Sequence, residues 1–246
     1  MSAGAPAQSP AAEAPAPAKG PSALPVVVKT YDAGGSLTGS VTTVYGSRGQ
    51  LLKQQVFSSS GTLVSVKLGG ASSQGWRVVE SQPSGEVLSI EDSAFGPRGE
   101  LVSLTLRNGR EAALSVAEYQ YDGSGRLTVS STSTGDGRLR TRTVYTYDWQ
   151  GNNVKTEVYD GGGTLNNVFE RQFDGTRLVL EKGYDASGAL VELTKTTWKD
   201  GRKLVQETVT PVSRTVEFRY GGTDVPVALV RSVRGQIVER QTFEYQ

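Results

Sequence analysis

From residue 26 onward one pattern of apolar and polar positions recurs along the chain. An aromatic residue leads into a short polar turn containing Gly, and one further residue then precedes an aliphatic. The clearest copies run from Tyr31 to Leu37, Tyr121 to Leu127, Tyr159 to Leu165 and Tyr184 to Leu190. Between turns lie about eight residues rich in Val, Thr, Tyr and Leu, which suits a strand. Within each turn, Asp accepts hydrogen bonds from backbone just ahead of it, and Gly takes the positive φ that closes the loop. Five Asp/Gly pairs are assigned this structural role: Asp32 and Gly35, Asp122 and Gly125, Asp148 and Gly151, Asp160 and Gly163, Asp185 and Gly188.

The turn glycines are separated by alternating gaps of 12 and 14 residues over much of the chain, so the full repeat is 26 residues. Aromatic positions confirm the period, with Phe95, Tyr121, Tyr147 and Phe173 each 26 apart. Connections this short leave no room for parallel crossovers. The count therefore predicts about 17 turns, including one at Pro211–Ser213, and about 18 antiparallel strands in an up-and-down meander. Parity agrees, since Leu139, Thr141, Thr143, Tyr145 and Tyr147 fall on one face, as do Ile237, Glu239, Gln241, Phe243 and Tyr245. Residues 110–118 have the composition of a helix, but the register predicts a strand there. Apolar groups gather at the strand ends. Lys53, Glu157, Arg171 and Glu207 occupy strand middles on both faces, which argues against a membrane-spanning barrel and its apolar outer band. The predicted form is all-β: an open twisted sheet, or a curved or flattened shell.

Composition narrows the chemistry. The 246 residues carry 26 basic and 25 acidic side chains, a formal charge of +1, which offers no general attraction for nucleic acid. With no His and no Cys, imidazole bases, thiolate nucleophiles, disulfides and the usual zinc sites are missing. No cofactor or metal is expected. Residues 1–25 hold nine Ala and six of the ten Pro, and they read as a disordered tether before a single β-repeat domain at 26–246. Such tethers follow the leaders of exported, anchored proteins, so export is expected, to the periplasm or to an outer-membrane or surface anchor, through a removed N-terminal leader.

The copies at Tyr121–Leu127 and Thr143–Leu165, above all Tyr145-Thr146-Tyr147-Asp148-Trp149-Gln150-Gly151-Asn152, resemble the tyrosine–aspartate repeats of bacterial Rhs proteins and teneurins. The resemblance covers residues 31 to 204. It implies a β-sheet shell, which encloses a toxin in Rhs proteins and supports adhesion in teneurins; this chain is far too short to wrap a toxin. Trp198 to Leu204 is more weakly similar to the second type of membrane-occupation repeat. Neither resemblance implies catalysis.

Against this regular background few residues invite a functional reading. The Asp-x-x-Gly turns lack the oxygen count of a calcium loop. Carboxylate pairs for glycoside chemistry are conceivable, but the recurring turn Asp residues are explained by structure. Arg138, Arg140 and Arg142 alternate along one strand and form a local basic stripe; a solvated face salt-bridged to Glu157 is favoured over a polyanion site. Trp76 and Trp149 both sit at turns on one long edge of the sheet, as partner contacts or as indoles folded over strand ends. Taken together, the sequence predicts a non-enzymatic binding or scaffolding protein of the bacterial cell envelope or surface, with a protein or envelope partner. The alternative is a carrier of a lipid or other amphipathic ligand in a curved sheet.

Overall fold

The computed structural model describes residues 25–47, 49–73, 75–210, 213–222 and 224–245. The Ala/Pro-rich tether lies outside the described residues except for Pro25, which opens the first strand; Pro211 and Val212 of the predicted Pro211–Ser213 turn also lie outside them. The strands are β1 (Pro25–Tyr31), β2 (Leu37–Tyr45), β3 (Leu51–Ser58), β4 (Leu63–Ser72), β5 (Gly75–Ser81), β6 (Val87–Phe95), β7 (Leu101–Asn108), β8 (Ala113–Tyr121) and β9 (Leu127–Thr134). There follow β10 (Leu139–Tyr147), β11 (Asn153–Asp160), β12 (Leu165–Asp174), β13 (Arg177–Asp185), β14 (Leu190–Lys199), β15 (Arg202–Val209), β16 (Arg214–Tyr220), β17 (Pro226–Val233) and β18 (Gln236–Tyr245). The helix-prone segment 110–118 is a turn and the first part of β8, as the register requires.

Each strand pairs antiparallel with its sequence neighbours, and β1 pairs with both β2 and β18. The sheet is therefore a closed barrel of 18 strands, which corrects the open or shell-like form expected from the sequence. At the seam, Val28 lies opposite Phe243 and Thr30 opposite Gln241. Closure gives the outer N–H and C=O groups of the first and last strands partners, where an open sheet would leave two sticky edges. An even number of strands is what allows an up-and-down meander to close antiparallel.

The turns are built as their composition predicts. In the β10–β11 connection the Asp148 amide donates to the Asn152 carbonyl at 2.9 Å, and the Gly151 amide donates to the Asp148 carbonyl at 3.1 Å. The Asp148 carboxylate accepts from the Asn152 amide at 2.8 Å, and Gly151 takes a φ of 87°. Asp32, Asp122, Asp160 and Asp185 accept equivalent backbone bonds, with Gly35, Gly125, Gly163 and Gly188 at positive φ. Gly69 serves a different purpose. A Cβ there would stand 1.9 Å from the Leu51 carbonyl oxygen and 2.8 Å from the Trp76 indole nitrogen, so only Gly lets β3 and the indole approach.

Strand register carries two continuous faces around the ring. On β14, Thr194 and Thr196 are 2% and 8% exposed, whereas Lys195 between them and Thr197 after them are exposed. Thr43, Ser65 and Thr156, on the same face, are buried as well. Side chains converge on the concave side of a closed wall and splay on its convex side, so this face, which holds most of the buried strand residues, lines the interior; Ile90, Asp92 and Val230 are buried on the other face. A circular wall of 18 strands at ~4.8 Å spacing and ~40° tilt is on the order of 35 Å across, too wide for side chains to fill. The described hydrogen bonds, ion pairs and ring contacts accordingly join strands one or two apart, or the turns beside them. Among the described residues no large side chain is fully buried. The wall, not a filled centre, holds this fold together.

Candidate functional site

One rim of the barrel carries the turns that follow the even-numbered strands. Tyr45, Phe95, Tyr121, Tyr147, Tyr220 and Tyr245 end β2, β6, β8, β10, β16 and β18 there, and Phe173 and Trp198 stand one residue before the ends of β12 and β14. β4 ends without an aromatic, and Trp76 at the start of β5 takes the place. By register these rings lie on the inward face. Their polar atoms reach the backbone: the hydroxyls of Tyr121 and Tyr147 donate to the carbonyls of Leu101 and Leu127 at 2.8 and 2.7 Å. The Trp198 indole donates to Leu178 at 2.8 Å, Tyr220 to Lys203 at 2.7 Å, and Tyr245 to Pro226 at 2.6 Å. Each bond ties the end of one strand to the start of the strand before it, where the ladder has run out. Arg126 stacks over Tyr147 at 5.1 Å, and Lys203 lies between Trp198 and Phe218 at 5.9 and 5.4 Å. Burial raises the phenol pKa of Tyr121 and Tyr147 above the ordinary value.

The two tryptophans singled out from the sequence part company at this rim. Trp76 is half-buried: its indole crosses Gly69 and donates to the Leu51 carbonyl at 3.2 Å. Trp149 is 90% exposed. The two belong to separate turns, six strands apart, and the fold does not bring them together. The turn presenting Trp149 is clamped by Asn152, whose amide donates to the Asp148 carboxylate and to the Gly175 carbonyl of the neighbouring turn, both at 2.9 Å.

Arg138, Arg140 and Arg142 lie at and beyond the opposite rim, all exposed, with Arg140 and Arg142 on the outward face of β10. The expected bridge to Glu157 is absent because Lys155, on the same strand, takes that carboxylate at 2.9 Å. Among the described residues none of the three guanidinium groups has an ion pair.

Three ionic clusters escaped the sequence reading. On the outer wall Asp92, only 8% exposed, receives Arg77 at 2.6 and 3.0 Å and Arg107 at 2.9 Å. Hydrogen bonding from Arg77 holds the Asp92 carboxyl below the usual range; burial opposes this and Arg107 reinforces it. On the inner wall Lys67 is shared by Glu80 and Glu91 at 3.6 and 3.5 Å. Across the ring, β12 carries Arg171, which pairs with Glu181 and donates to Asn153 and Thr156 at 2.6 and 2.7 Å. These residues are 10 to 24 positions apart in sequence, on different strands, and only the register juxtaposes them. Each polar group answers another, so the clusters brace the wall. Among the described residues no group of acidic side chains is placed to hold a metal ion, and no helix is long and apolar enough to cross a membrane.

Fold and site together define a closed up-and-down β-barrel made of hairpin repeats. No protein-family model matches the chain, and no curated protein matches it. Among solved structures it is similar to a porin-like protein from Bacteroides uniformis, with a TM-score of 0.50 at 8% identity over 92% of this chain and 98% of that one. A porin-like protein from Bacteroides vulgatus matches with a TM-score of 0.36 at 12% identity, covering 88% and 99% of the two chains. The Photorhabdus luminescens Tc holotoxin pore matches with a TM-score of 0.36 at 12% identity over 78% of this chain. The chain spans 13% of the length of that toxin chain. At such identities the first likeness concerns the barrel alone.

Proposed function

We propose that this protein is a non-enzymatic binding or scaffolding barrel of the bacterial cell envelope or surface. The observation that carries the reading is the wall itself: a closed 18-stranded barrel, porin-like in fold, whose outward face is charged at mid-strand. Lys53, Arg142, Lys155, Glu157, Lys195 and Glu207 point outward where a lipid-embedded barrel carries its apolar band. The barrel thus works in water, presenting an outer wall and two rims to envelope components. The tyrosine–aspartate repeat character and the Ala/Pro-rich leading segment support the same setting. The recurring turn Asp side chains are used in bracing their own turns. Fractionation and protease treatment of intact cells test the location; a purely cytosolic signal would overturn it.

The inward aromatic ring favours a second reading, a carrier that holds a lipid or other amphipathic molecule within the lumen. Native mass spectrometry of gently purified protein separates the two. A co-purifying lipid supports the carrier, and a bare chain mass supports the scaffold.

A further inference from the structure

The repeat makes it possible to ask which outward side chains the fold requires. Equivalent positions in other hairpins show what the backbone accepts where β10 carries Arg138, Arg140 and Arg142. Opening β2 they are Ser36, Thr38 and Ser40; at β6 they are Glu86, Leu88 and Ile90; at β12 they are Thr164, Asn166 and Val168. Small, polar or aliphatic residues all serve, so the wall does not need three arginines here. Asp136 stands beside Arg138 in the β9–β10 turn, its carboxylate accepting from the Thr134 hydroxyl, but it forms no ion pair with the guanidinium. Arg77, Arg107, Arg171 and Arg231 on other strands each have a carboxylate partner, while these three have none among the described residues.

Arg138 and Arg140 also line an open depression of about 540 Å³, floored by Gly161 and Gly162 of the β11–β12 turn. A Cβ on Gly161 would stand 2.1 Å from the Leu139 carbonyl, so the floor is bare backbone by necessity. The corresponding depression two repeats earlier, of about 490 Å³, is lined by Glu86, Asn108, Gly109 and Arg110 instead. The fold supplies the hollow at both places; two arginines edge this one, whereas Glu86 stands with the single Arg110 at the other.

The geometry points to this stripe as a docking site for an acidic glycan, a chain of sugars bearing carboxylates or sulfates. This rests on reading the protein as a binding barrel and names the class of partner. Alternate residues of a strand are about 6.7 Å apart, so the three guanidinium anchors span roughly 13 Å in a line. Planar guanidinium groups take carboxylates two-pronged, which suits a linear row of acid groups. Beside the arginines stand groups suited to sugars. Ser131 faces Arg142 from β9, and the Tyr159 ring faces it from β11. The charged groups around the stripe set its width. Glu118 stands two strands away across Ser131, Glu157 lies opposite Val144, and Asp160 spends its carboxylate on the amides of Gly162 and Thr164. These acids repel a broad polyanion such as a duplex, and a convex wall meets a flat membrane only along a line.

Titration of the full chain with an oligogalacturonate at low salt tests the proposal. Saturable binding that weakens with salt is expected, with at least a tenfold loss in R138Q/R140Q/R142Q and no change in K182Q/K195Q, which removes outward charge elsewhere. All five side chains lie at the surface of the wall, and thermal melts of both variants check that the barrel is intact. No oligogalacturonate binding, or equal binding by the triple variant, overturns the proposal. So does duplex DNA or a phosphatidylglycerol vesicle bound as tightly through the same arginines. None of these outcomes bears on cellular location, which fractionation decides separately.

Discussion

The Tyr147 hydroxyl donates to the Leu127 carbonyl at 2.7 Å, fastening the end of β10 to the start of β9. Tyr121 stands in the same relation to Leu101, one 26-residue repeat earlier, and Trp198 in the same relation to Leu178. The bond therefore belongs to the repeat. In Y147F the ring remains and the carbonyl still reaches rim water, so a loss of about 1 kcal/mol is expected in urea unfolding. Y147A also removes the ring under Arg126, and a further loss of about 2 kcal/mol is expected. Equal stability for Y147F and the parent would show that the bond contributes nothing.

Trp76 and Trp149 are expected to behave oppositely. W149S changes a side chain that is 90% exposed, and its effect on stability should stay within about 0.5 kcal/mol. W76S removes an indole laid across Gly69 and leaves the Leu51 carbonyl without its donor, at an expected cost of about 2–3 kcal/mol. The comparison is made by thermal melts of the two single variants. Similar losses in both would contradict the different burial of the two rings.

Removal of residues 126–151 joins Gly125 to Asn152 and takes out one hairpin, leaving 16 strands and an intact Asp-x-x-Gly turn. A smaller closed barrel is expected, monodisperse by size-exclusion chromatography and with a β-rich circular dichroism spectrum. Removal of 126–138 takes out a single strand and leaves an odd number. The first and last strands then run parallel at the seam and cannot close as neighbours, and aggregation through the free edges is expected. Comparable solubility of the two deletions would count against closure.

Stability should fall on the acid side and stay level near neutrality. The carboxyls of Asp92, Asp122 and Asp185 titrate below their ordinary values in the folded chain, held down by Arg77, by the Arg126 amide and by the Ser187 hydroxyl respectively. A depressed carboxylate stabilises the fold above the unfolded pKa of about 4, and that stabilisation is lost as pH falls through the folded value. Without His there is no group of ordinary pKa near 6.5. A melting temperature level from about pH 5 to 8 and declining below about pH 4 is expected. In D92N that acid decline should be shallower, from a lower starting stability, because the amide cannot carry the charge that Arg77 and Arg107 share.

Much of the wall is legible in the residues themselves. A hairpin turn is a local object: Asp148 bonds within its own loop, Gly151 supplies the positive φ, and the spacing between such loops sets strand length and direction. The strand count, the antiparallel order, the faces of Thr143 and Tyr145, and the strand reading of the helix-prone segment at Ala113 all follow from that local chemistry. That Trp149 sits in a turn was legible for the same reason; that its indole is exposed while Trp76 folds over the wall was not. What depends on distant parts of the chain was not. Nothing near Val28 announces that it will lie opposite Phe243, yet that pairing turns an open sheet into a barrel and gives each face an inside or an outside. Nor does spacing reveal that Asp92 gathers Arg77 and Arg107, or that Trp76 finds Leu51 across Gly69. Those contacts join neighbouring or next-neighbouring strands, where the register of the assembled wall, more than any local preference, decides which side chains meet.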